Sequence, residues 1–576
     1  MLEDQSRDGL SRRRLLEMSA AAMGAVWVPV GVATRASAAT GAAPPNFPAD
    51  IELHRQVYRN WSGEIRVDAV WTCVPRTAAA VVTVVNWAHA NNYSVRAKGY
   101  RHTWSPLTVT AQPGTADRIM LVDTTRHLTT MALVATAPAA VRVQAGASME
   151  ALLAFLEDAG YGLTDTPAPG DLTVGGVLAI NGHGTAVPAV GESPLPGHTY
   201  GSLSNLVVSL TAVVWDPAAG RYAPRTFDRA DPDCAAFLTH VGRALVTEVT
   251  LRVGANSHLR CVSRVDIPAG ELFAAPGSGA ARTFASFVDG AGRVEAIWFV
   301  FTDQPWLKVW SVAPTRPPTA RPAVAPYNYP FSDNIPKEVS DLVTRLMSGD
   351  WAATPTFGRA QYAAVAAGLA ATDSGDLWGP SKNLLLYVKP TTLRETANGY
   401  AILTNRDSIQ RVVAEFATFF ADRLSAYQAR GLFPVTGQVE IRVSGLDRAG
   451  DVGVPGAQPP ALSAVRPRED HPDWDVAVWL DILTLPPAPS AAAFYREIEA
   501  FVFSNYTGYA AARVEWSKGW AYTADAAWSD RRVLTETVPD TYRQGPNPTW
   551  DRAIATLDRY DPGRVFSNAF LDVLMR

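Results

Sequence analysis

Hydrophobic residues between about 75 and 160 recur at the spacing of two helices. Val81, Val84, Val85 and Ala88 follow an i, i+3, i+4, i+7 pattern after Pro75, which predicts a helix with one buried face. The same rule predicts a second helix, and Gly160 is the residue type that ends one. Its apolar positions are Met149, Leu152, Leu153 and Leu156.

Short segments rich in apolar and β-branched residues alternate with these helices and predict strands. They cover residues 93–97, 119–122, 141–145, 206–215 and 244–253. Helices and strands of these lengths, alternating up to about residue 255, are typical of an α+β unit that binds a nucleotide.

The pattern changes after about residue 256, where aromatic residues become dense and the proline-rich stretch 314–330 appears. The aromatic positions are Trp298, Phe299, Phe301, Trp306 and Trp310. Strands are predicted over 294–302 and 438–444, and helices over 409–427 and 491–503. We expect a second domain that builds a substrate cavity, followed from about 516 by a tryptophan-rich segment.

Composition narrows the class of protein. The chain has 576 residues, of which 47% are hydrophobic and 18% are charged, so it is globular. A net charge of −4 without a long basic run argues against nucleic acid or an anionic membrane as the main partner. Cys73, Cys234 and Cys261 have no zinc-site spacing, and no metal is predicted.

The N-terminus has the features of an export signal. Arg12, Arg13 and Arg14 precede an apolar run over 18–33, and Ala36-Ser37-Ala38 supplies a small-residue cleavage site. The run is short for a membrane span, which needs about 20 apolar residues. The sequence therefore predicts a protein exported by the twin-arginine route, with an uncleaved anchor as the alternative.

The first candidate cofactor-binding stretch covers residues 96–106 and follows a predicted strand. Gly99 permits a tight turn with exposed backbone amides, and successive amides of this kind form an anion-binding concavity. The candidate residues in this turn are Lys98, Gly99, Tyr100, Arg101, His102, Thr103 and Ser105.

A second glycine-containing stretch covers 169–185. A helix that begins near Val174 would direct the positive end of its dipole toward a pyrophosphate. Neither stretch is GxGxxG, which excludes the doubly wound dinucleotide fold, and glycine content alone leaves an ordinary loop possible. The candidate residues are Pro169, Gly170, Asp171, Thr173, Gly175, Gly176, Asn181, Gly182, His183 and Gly184.

Candidate catalytic residues lie in the second half. Residues 439–444 alternate strictly, so Glu440, Arg442 and Ser444 share one face of a strand. A buried Glu–Arg pair would hold the carboxylate ionised, whereas a half-solvated surface strand is the alternative. Glu295 precedes the aromatic strand and is a further candidate, with a strand-edge charge as its alternative.

The order of the two glycine stretches resembles the FAD-binding domain of the vanillyl-alcohol oxidase type. That resemblance implies an α+β fold with a two-subdomain FAD-binding domain and a large α+β substrate domain. It also implies that FAD is bonded covalently through a ring nitrogen of His102, with non-covalent flavin as the alternative. Val246 on a closing strand and Asn568 in the C-terminal tail become further cofactor-binding candidates.

The chain as a whole resembles the covalent-flavin class of bacterial cholesterol oxidases. This implies a signal and linker over 1–40, an FAD domain over 41–255, a sterol-binding domain over 256–515, and a segment over 516–576 that returns to the FAD domain. The implied catalytic residues are Glu440, Arg442 and Glu295. Asp481 is a weaker candidate, because the corresponding residue in that family is an amide.

The implied activity is oxidation of a sterol 3β-hydroxyl to a ketone, with Δ5 to Δ4 isomerisation and reduction of O2 to H2O2. The expected partners are a sterol, O2 and, transiently, a lipid surface, without an obligate protein partner. An alditol or aldonolactone oxidase is an alternative, although its His-Trp-x-Lys stretch would correspond here to Glu515-Trp516-Ser517-Lys518. A secreted binding protein without chemistry is a third hypothesis.

Overall fold

The computed structural model describes residues 43–112, 114, 116–333, 336–486 and 488–576. The predicted export signal, with its arginines and its cleavage site, lies outside the described residues. None of the helices in these ranges has the length and apolar character needed to span a bilayer.

The first unit begins with a four-stranded sheet of order β1-β2-β4-β3. Its strands are β1 (Glu52–Arg59), β2 (Arg66–Val74), β3 (Ser94–Lys98) and β4 (Ile119–Asp123). Helix α1 (Ala78–Ala90) begins where the Thr77 side chain accepts a hydrogen bond from the amide of Ala80, and it ends at Asn91. The four apolar positions that predicted this helix are all buried.

A five-stranded antiparallel sheet completes the first unit, in the order β5-β6-β10-β8-β9. Its strands are β5 (Met131–Thr136), β6 (Ala139–Gln144), β8 (Val207–Asp216), β9 (Arg221–Asp228) and β10 (Leu245–Arg252). The two-residue strands β7 (Tyr161–Gly162) and β11 (Gly254–Ala255) pair with each other. The helices are α2 (Met149–Asp158), α3 (Val174–Ala179) and α4 (Cys234–Leu238). The predicted α+β unit is confirmed.

The second unit is built on a nine-stranded sheet of order β15-β16-β12-β14-β13-β18-β19-β17-β20. Its strands are β12 (His258–Arg264), β13 (Arg293–Phe299), β14 (Trp306–Val312), β15 (Arg321–Pro322), β16 (Asp376–Pro380), β17 (Thr396–Thr404), β18 (Gln438–Gly445), β19 (Val476–Thr484) and β20 (Ala510–Val514). The β15–β16 pair is parallel, and the other pairs of this sheet are antiparallel.

Helices lie between the strands of this sheet in the sequence or follow the last of them. They are α5 (Ala269–Leu272), α6 (Phe284–Ala291), α7 (Pro330–Asp333), α8 (Lys337–Met347), α9 (Thr354–Ala371), α10 (Ser381–Leu385), α11 (Ile409–Gln428), α12 (Ala491–Asn505), α13 (Val538–Arg543), α14 (Trp550–Tyr560) and α15 (Leu571–Leu574). The alternating strand predicted at 438–444 is β18, with Val439, Ile441 and Val443 buried in the core.

The C-terminal segment packs against the first unit. The Tyr560 hydroxyl donates to Asp233 over 2.8 Å, and the amide of Val95 donates to the carbonyl of Val565 over 2.7 Å. Residues beyond β20 therefore hydrogen-bond to the edge of strand β3 and pack against helix α4. Both ends of the described chain thus contribute to the first unit.

Candidate active site

The turn after β3 is fixed from behind by a buried guanidinium. Arg96 donates to the carbonyl of Gly242 over 2.7 Å, and it also binds the carbonyls of Leu107 and Phe566. Within the turn, a Cβ at Gly99 would lie 2.5 Å from Oγ1 of Thr173. The two glycine stretches thus contact each other, and the absence of a side chain at residue 99 permits that approach.

The second stretch forms the N-terminus of α3. Thr173 caps this helix, because its Oγ1 accepts a hydrogen bond of 3.2 Å from the amide of Gly176. A Cβ at Gly175 would lie 2.8 Å from the Cβ of Ala145. The helix end is therefore brought against the end of strand β6, where the amides of Val174 and Gly175 donate to the carbonyls of Ala147 and Ala145.

These two stretches line a cavity of about 1090 Å³, which we call the cofactor cleft. It contains ten of the predicted cofactor-binding residues, namely Lys98, Gly99, Tyr100, Arg101, His102, Thr103, Thr173, Gly175, Gly176 and Val246. Residues that the sequence did not single out also line it, among them Tyr58, Thr124, Ala145 and His240. Lys98 is held at the cleft by Asp123, whose Oδ2 lies 2.5 Å from the ammonium nitrogen.

Two predicted cofactor-binding residues instead hold the turn in place from outside the cleft. Ser105 donates from its Oγ to the carbonyl of Trp516 over 2.8 Å. Asn568 donates from its Nδ2 to the carbonyl of Pro106 over 3.0 Å. Because the chain itself uses these polar groups, they support the cleft wall. Gly170, Asp171 and Gly184 also lie outside the residues that line either cavity described here.

His102 lies at the inner end of the cleft in an apolar setting. Its ring stacks on Trp61 with centroids 3.8 Å apart. Burial lowers the pKa of His102 to about 3, with Lys518 and Arg394 acting in the same direction. Its Nδ1 is buried and has no hydrogen-bond partner in the described part of the chain. The imidazole is therefore neutral, with one ring nitrogen left without a protein ligand.

The residues present fit FAD. A cleft wall that contains Gly99, Gly175 and Gly176 lets a pyrophosphate approach the backbone closely, and a neutral buried imidazole with an unpartnered nitrogen suits attachment to an isoalloxazine. Thr173, Gly175 and Gly176 would hold the phosphate side of the cofactor, and His102 would hold its flavin side.

A second cavity of about 1860 Å³, which we call the substrate cavity, meets the cofactor cleft. The two share His102, Leu172, Val177 and Ile180 as lining residues. The wall of the substrate cavity is mostly apolar and aromatic, with contributions from Trp61, Trp104, Ile297, Phe299, Trp306, Tyr329, Phe331, Val339, Val365, Leu393 and Leu483. Pro169, Asn181, Gly182 and His183 of the second glycine stretch line this cavity and not the cleft.

The three predicted catalytic residues, Glu440, Arg442 and Glu295, all line the substrate cavity. Glu295 on β13 is directly opposite Arg442 on β18. Arg442 lies 4.0 Å from the Glu440 carboxylate and forms a closer ion pair with Asp481. The weaker candidate, Asp481, is fully buried on β19 behind Arg442 and does not line the cavity.

A second charged group lies beside Asp481. Lys518 places its ammonium 3.7 Å from the Asp481 carboxylate, and Glu515 lies 3.8 Å from His183. Burial and the charge of Glu515 raise the pKa of Asp481 to about 8. For Glu515, burial is outweighed by Lys518 and His183, which hold the pKa of that carboxyl below its usual range.

Three residues of this site were missed by the sequence analysis. Glu395 lines the substrate cavity, and burial and the nearby Glu440 raise its pKa to about 8. Tyr387 also lines it and donates to Glu295 over 2.8 Å. Lys308 lies 3.6 Å from the same carboxylate. Only Lys308, a charged residue between Trp306 and Trp310, had a signal in the sequence.

A cofactor cleft that fits FAD and opens into an apolar cavity is the architecture of a flavin-dependent oxidoreductase. Comparisons with known proteins narrow this class. Residues 71–216 match the FAD binding domain family, and residues 258–576 match the family described as cholesterol oxidase, substrate-binding. The chain belongs to the cholesterol oxidase family.

Solved structures agree with this assignment. A solvent-stable cholesterol oxidase is 58% identical with a TM-score of 0.91, and the match covers 93% of this chain and 100% of that one. Cholesterol oxidase from Brevibacterium sterolicum is 46% identical with a TM-score of 0.91, covering 93% and 99%. A histidine-to-alanine variant of it gives 46% and 0.90 over the same shares. Among curated proteins no sequence matches the chain.

Proposed function

We propose that this protein oxidises the 3β-hydroxyl of cholesterol-like sterols to a ketone and reduces O2 to H2O2. The observation that supports this most directly is the aromatic cavity beside the cofactor cleft, whose wall also carries Glu295, Glu440 and Arg442 on the adjacent strands β13 and β18. A sterol is a long rigid hydrocarbon with one hydroxyl, so an apolar wall with polar groups at one place complements it.

Glu440 and Arg442 act on the sterol hydroxyl. Bound FAD would supply the hydride acceptor and pass the electrons to O2. Arg442, held by Asp481, stabilises the negative charge that develops on the sterol oxygen. Glu440 lies 4.0 Å from that guanidinium and accepts the hydroxyl proton.

Glu295 provides the second carboxylate, for Δ5 to Δ4 isomerisation. This step moves a proton from C4 to C6 of the steroid without any change in oxidation state. Glu295 is only 2% exposed and lines the same cavity as Glu440. A carboxylate in the same cavity as the sterol can act as the base that removes a carbon-bound proton.

The covalent link to flavin is assigned to His102. The supporting observation is its neutral ring with a buried, unpartnered Nδ1 between the two cavities. His183 is the rival, but it stacks on Trp479 with centroids 3.5 Å apart and its Nδ1 lies 2.9 Å from the carbonyl of Gly184. Both of those contacts occupy the His183 ring with protein.

The protein acts outside the cytoplasm after twin-arginine export. The arginine run and the apolar segment that follows it support this proposal. Sterols are held in lipid, so we also propose transient contact with a lipid surface during substrate uptake.

The test uses the purified wild-type protein with cholesterol or, separately, xylitol, while peroxide and the conjugated enone are followed. Peroxide and enone from cholesterol alone are expected, and peroxide from xylitol alone would overturn the assignment in favour of the polyol alternative. Glu440→Gln should lower kcat/KM for oxidation about 10²-fold or more. Glu295→Gln should chiefly lower enone formation and leave the non-conjugated ketone as product.

The covalent link is tested on the same preparation by acid precipitation and peptide mass mapping. We expect yellow pellets from wild type and from His183→Ala, and a colourless pellet from His102→Ala. Flavin on a peptide that lacks His102 would overturn the assignment.

A further inference from the structure

Lys308 is a fully buried cation that the proposed chemistry does not yet use. It lies on β14 directly opposite Glu295 on β13, and Glu295 is opposite Arg442 on β18. Its relative exposure is 0%. An isolated charge in such a place is costly, so a partner must compensate it.

The carboxylate of Glu295 is that partner. The Lys308 ammonium lies 3.6 Å from Oε2, and no other residue of the described ranges forms an ion pair with it. The ammonium makes no hydrogen bond to the described residues. Its attraction to Glu295 therefore acts through space, at low dielectric, where a charge is weakly screened.

Four aromatic rings surround the same ammonium. It lies 3.0 Å from the ring centroid of Tyr387, 4.7 Å from Trp310, and 5.2 Å from both Trp306 and Tyr329. The negative faces of aromatic rings stabilise a cation. Burial lowers the pKa of Lys308 below its usual value. Glu295 opposes this shift, and the rings also favour the charged form.

The Lys308 and Tyr387 contacts leave one oxygen of Glu295 free. The Tyr387 hydroxyl donates to Oε2 over 2.8 Å, and Lys308 lies against the same oxygen. No hydrogen bond from the described residues reaches Oε1. Because Glu295 lines the substrate cavity, the free oxygen is the one available to a substrate.

Arg442 does not replace Lys308 in this role. Its guanidinium is engaged by Asp481 and lies 4.0 Å from Glu440, and it forms no ion pair with Glu295 within the described residues. The other charged or titratable groups that face Lys308, Tyr387 or Glu295 are Cys261 on β12, Tyr329 before α7 and Glu440 on β18. None of these is a cation.

We propose that Lys308 is a positioning residue, which keeps the Glu295 carboxylate ionised and anchored at Oε2 so that Oε1 can remove the C4 proton of the steroid. The inference rests on the proposed role of Glu295 in isomerisation. The proton then moves from C4 to the carboxylate and from the carboxylate to C6, and Lys308 itself gives up no proton.

The experiment measures isomerisation of added cholest-5-en-3-one, which needs no oxidant, as a function of pH. Lys308→Met removes the charge and retains the volume. Without the cation, Glu295 is protonated at higher pH, so the acid limb of the profile should move upward by at least one pH unit. On the acid side of that limb, a shift of one pH unit lowers the isomerisation rate of Lys308→Met about tenfold relative to wild type.

Two further variants separate charge from packing. Trp310→Phe disturbs the aromatic surroundings but keeps the charge, so its acid limb should stay with wild type even if its melting temperature falls. In a Glu295→Gln background, Lys308→Met should change the residual rate little. An unshifted limb in Lys308→Met, or equal losses in both backgrounds, would overturn the role assigned to Lys308.

A readout without substrate keeps this test apart from the proposed function. Infrared difference spectra across a pH titration should contain a carboxylic-acid band that Glu295→Gln removes. In Lys308→Met that band should appear at higher pH than in wild type. Its appearance at the same pH in both proteins would contradict the inference. A wild-type protein that acts on no sterol would instead contradict the proposed function.

Discussion

Glu395 is a carboxyl group that the chain buries beside another carboxyl group. It is 5% exposed and lies in the wall of the substrate cavity near Glu440. Its Oε1 has no hydrogen-bond partner in the part of the chain that the structure describes. Burial raises its pKa to about 8 from a usual value of 4.5, so the group is neutral at pH 7.

Because of this pKa shift, the titration of Glu395 makes the free energy of unfolding depend on pH. The folded state holds the proton more tightly than the unfolded state, so the stability due to protonation is complete below about pH 4.5 and is lost as pH rises toward 8. Glu395→Gln cannot titrate, so its melting temperature should rise relative to wild type across this window. At the upper end of this window, the free energy of unfolding of Glu395→Gln should exceed that of wild type by an amount on the order of a few kcal/mol.

The comparison is made by thermal melts at fixed scan rate between pH 4.5 and 9. Glu395→Asp, which keeps a titratable carboxyl, should follow the wild-type slope. A difference between Glu395→Gln and wild type that stays constant over the whole window would contradict the prediction.

At the scale of elements, the sequence predicted what depends on local periodicity. Glu440 and Arg442 were found because side chains alternate along a strand, and the buried Val439, Ile441 and Val443 confirm which face is the core. The strand over 438–444 and the helix over 409–427 were likewise placed to within one residue of β18 and α11 at either end.

What the sequence could not predict is the register between distant strands. Glu295 is opposite both Lys308 and Arg442 only because β13 lies between β14 and β18. Glu395 precedes β17, which reaches the site through a non-sequential sheet order. Their positions in the motifs predicted that Ser105 and Asn568 bind the cofactor. Their side chains instead donate to the backbone carbonyls of Trp516 and Pro106, which lie far away in the sequence.

Helix α3 gives a prediction at this scale. It has six residues, so its N-cap contributes a large share of its hydrogen bonds. Thr173→Ala removes the acceptor for the Gly176 amide and should lower the free energy of unfolding by about 1 kcal/mol. It should also weaken the affinity of the apoprotein for FAD. Thr173→Ser keeps the acceptor and should restore most of both quantities, as measured by denaturant melts and flavin titration. Equal losses in both variants would show that the cap is unimportant.

At the scale of the whole molecule, one buried ion pair joins the C-terminal segment to the first unit. Arg243 donates to Asp561 over 2.8 Å, and their side chains are 1% and 2% exposed. Asp561 also accepts from the Tyr222 hydroxyl over 2.6 Å and from the amides of Val565 and Phe566. Asp561, together with the partly exposed Asp558 that lies 2.7 Å from Arg243, thus organises the contact between residues beyond β20 and the cofactor-binding unit.

Asp561→Asn should therefore destabilise the protein by about 1–3 kcal/mol, because it leaves the buried Arg243 with the partly exposed Asp558 carboxylate, 2.7 Å away, as its remaining ionic partner. The matched control is Asp551→Asn, whose ion pair with Arg543 has side chains 69% and 37% exposed. Such an exposed pair contributes roughly 0–1 kcal/mol. Melting temperatures of the two variants, measured under identical conditions, should differ clearly, and similar small losses would contradict the importance of the buried pair.

The contact of Arg96 with the carbonyl of Phe566 joins residues 470 positions apart in the chain. During translation, the turn that opens the cofactor cleft leaves the ribosome long before the segment that fixes it has been made. A nascent chain can therefore fold its first sheet but cannot present a finished flavin pocket. The flavin pocket is therefore finished only when the segment around residue 566 has joined the first sheet, and a polypeptide truncated before residue 566 should stay colourless.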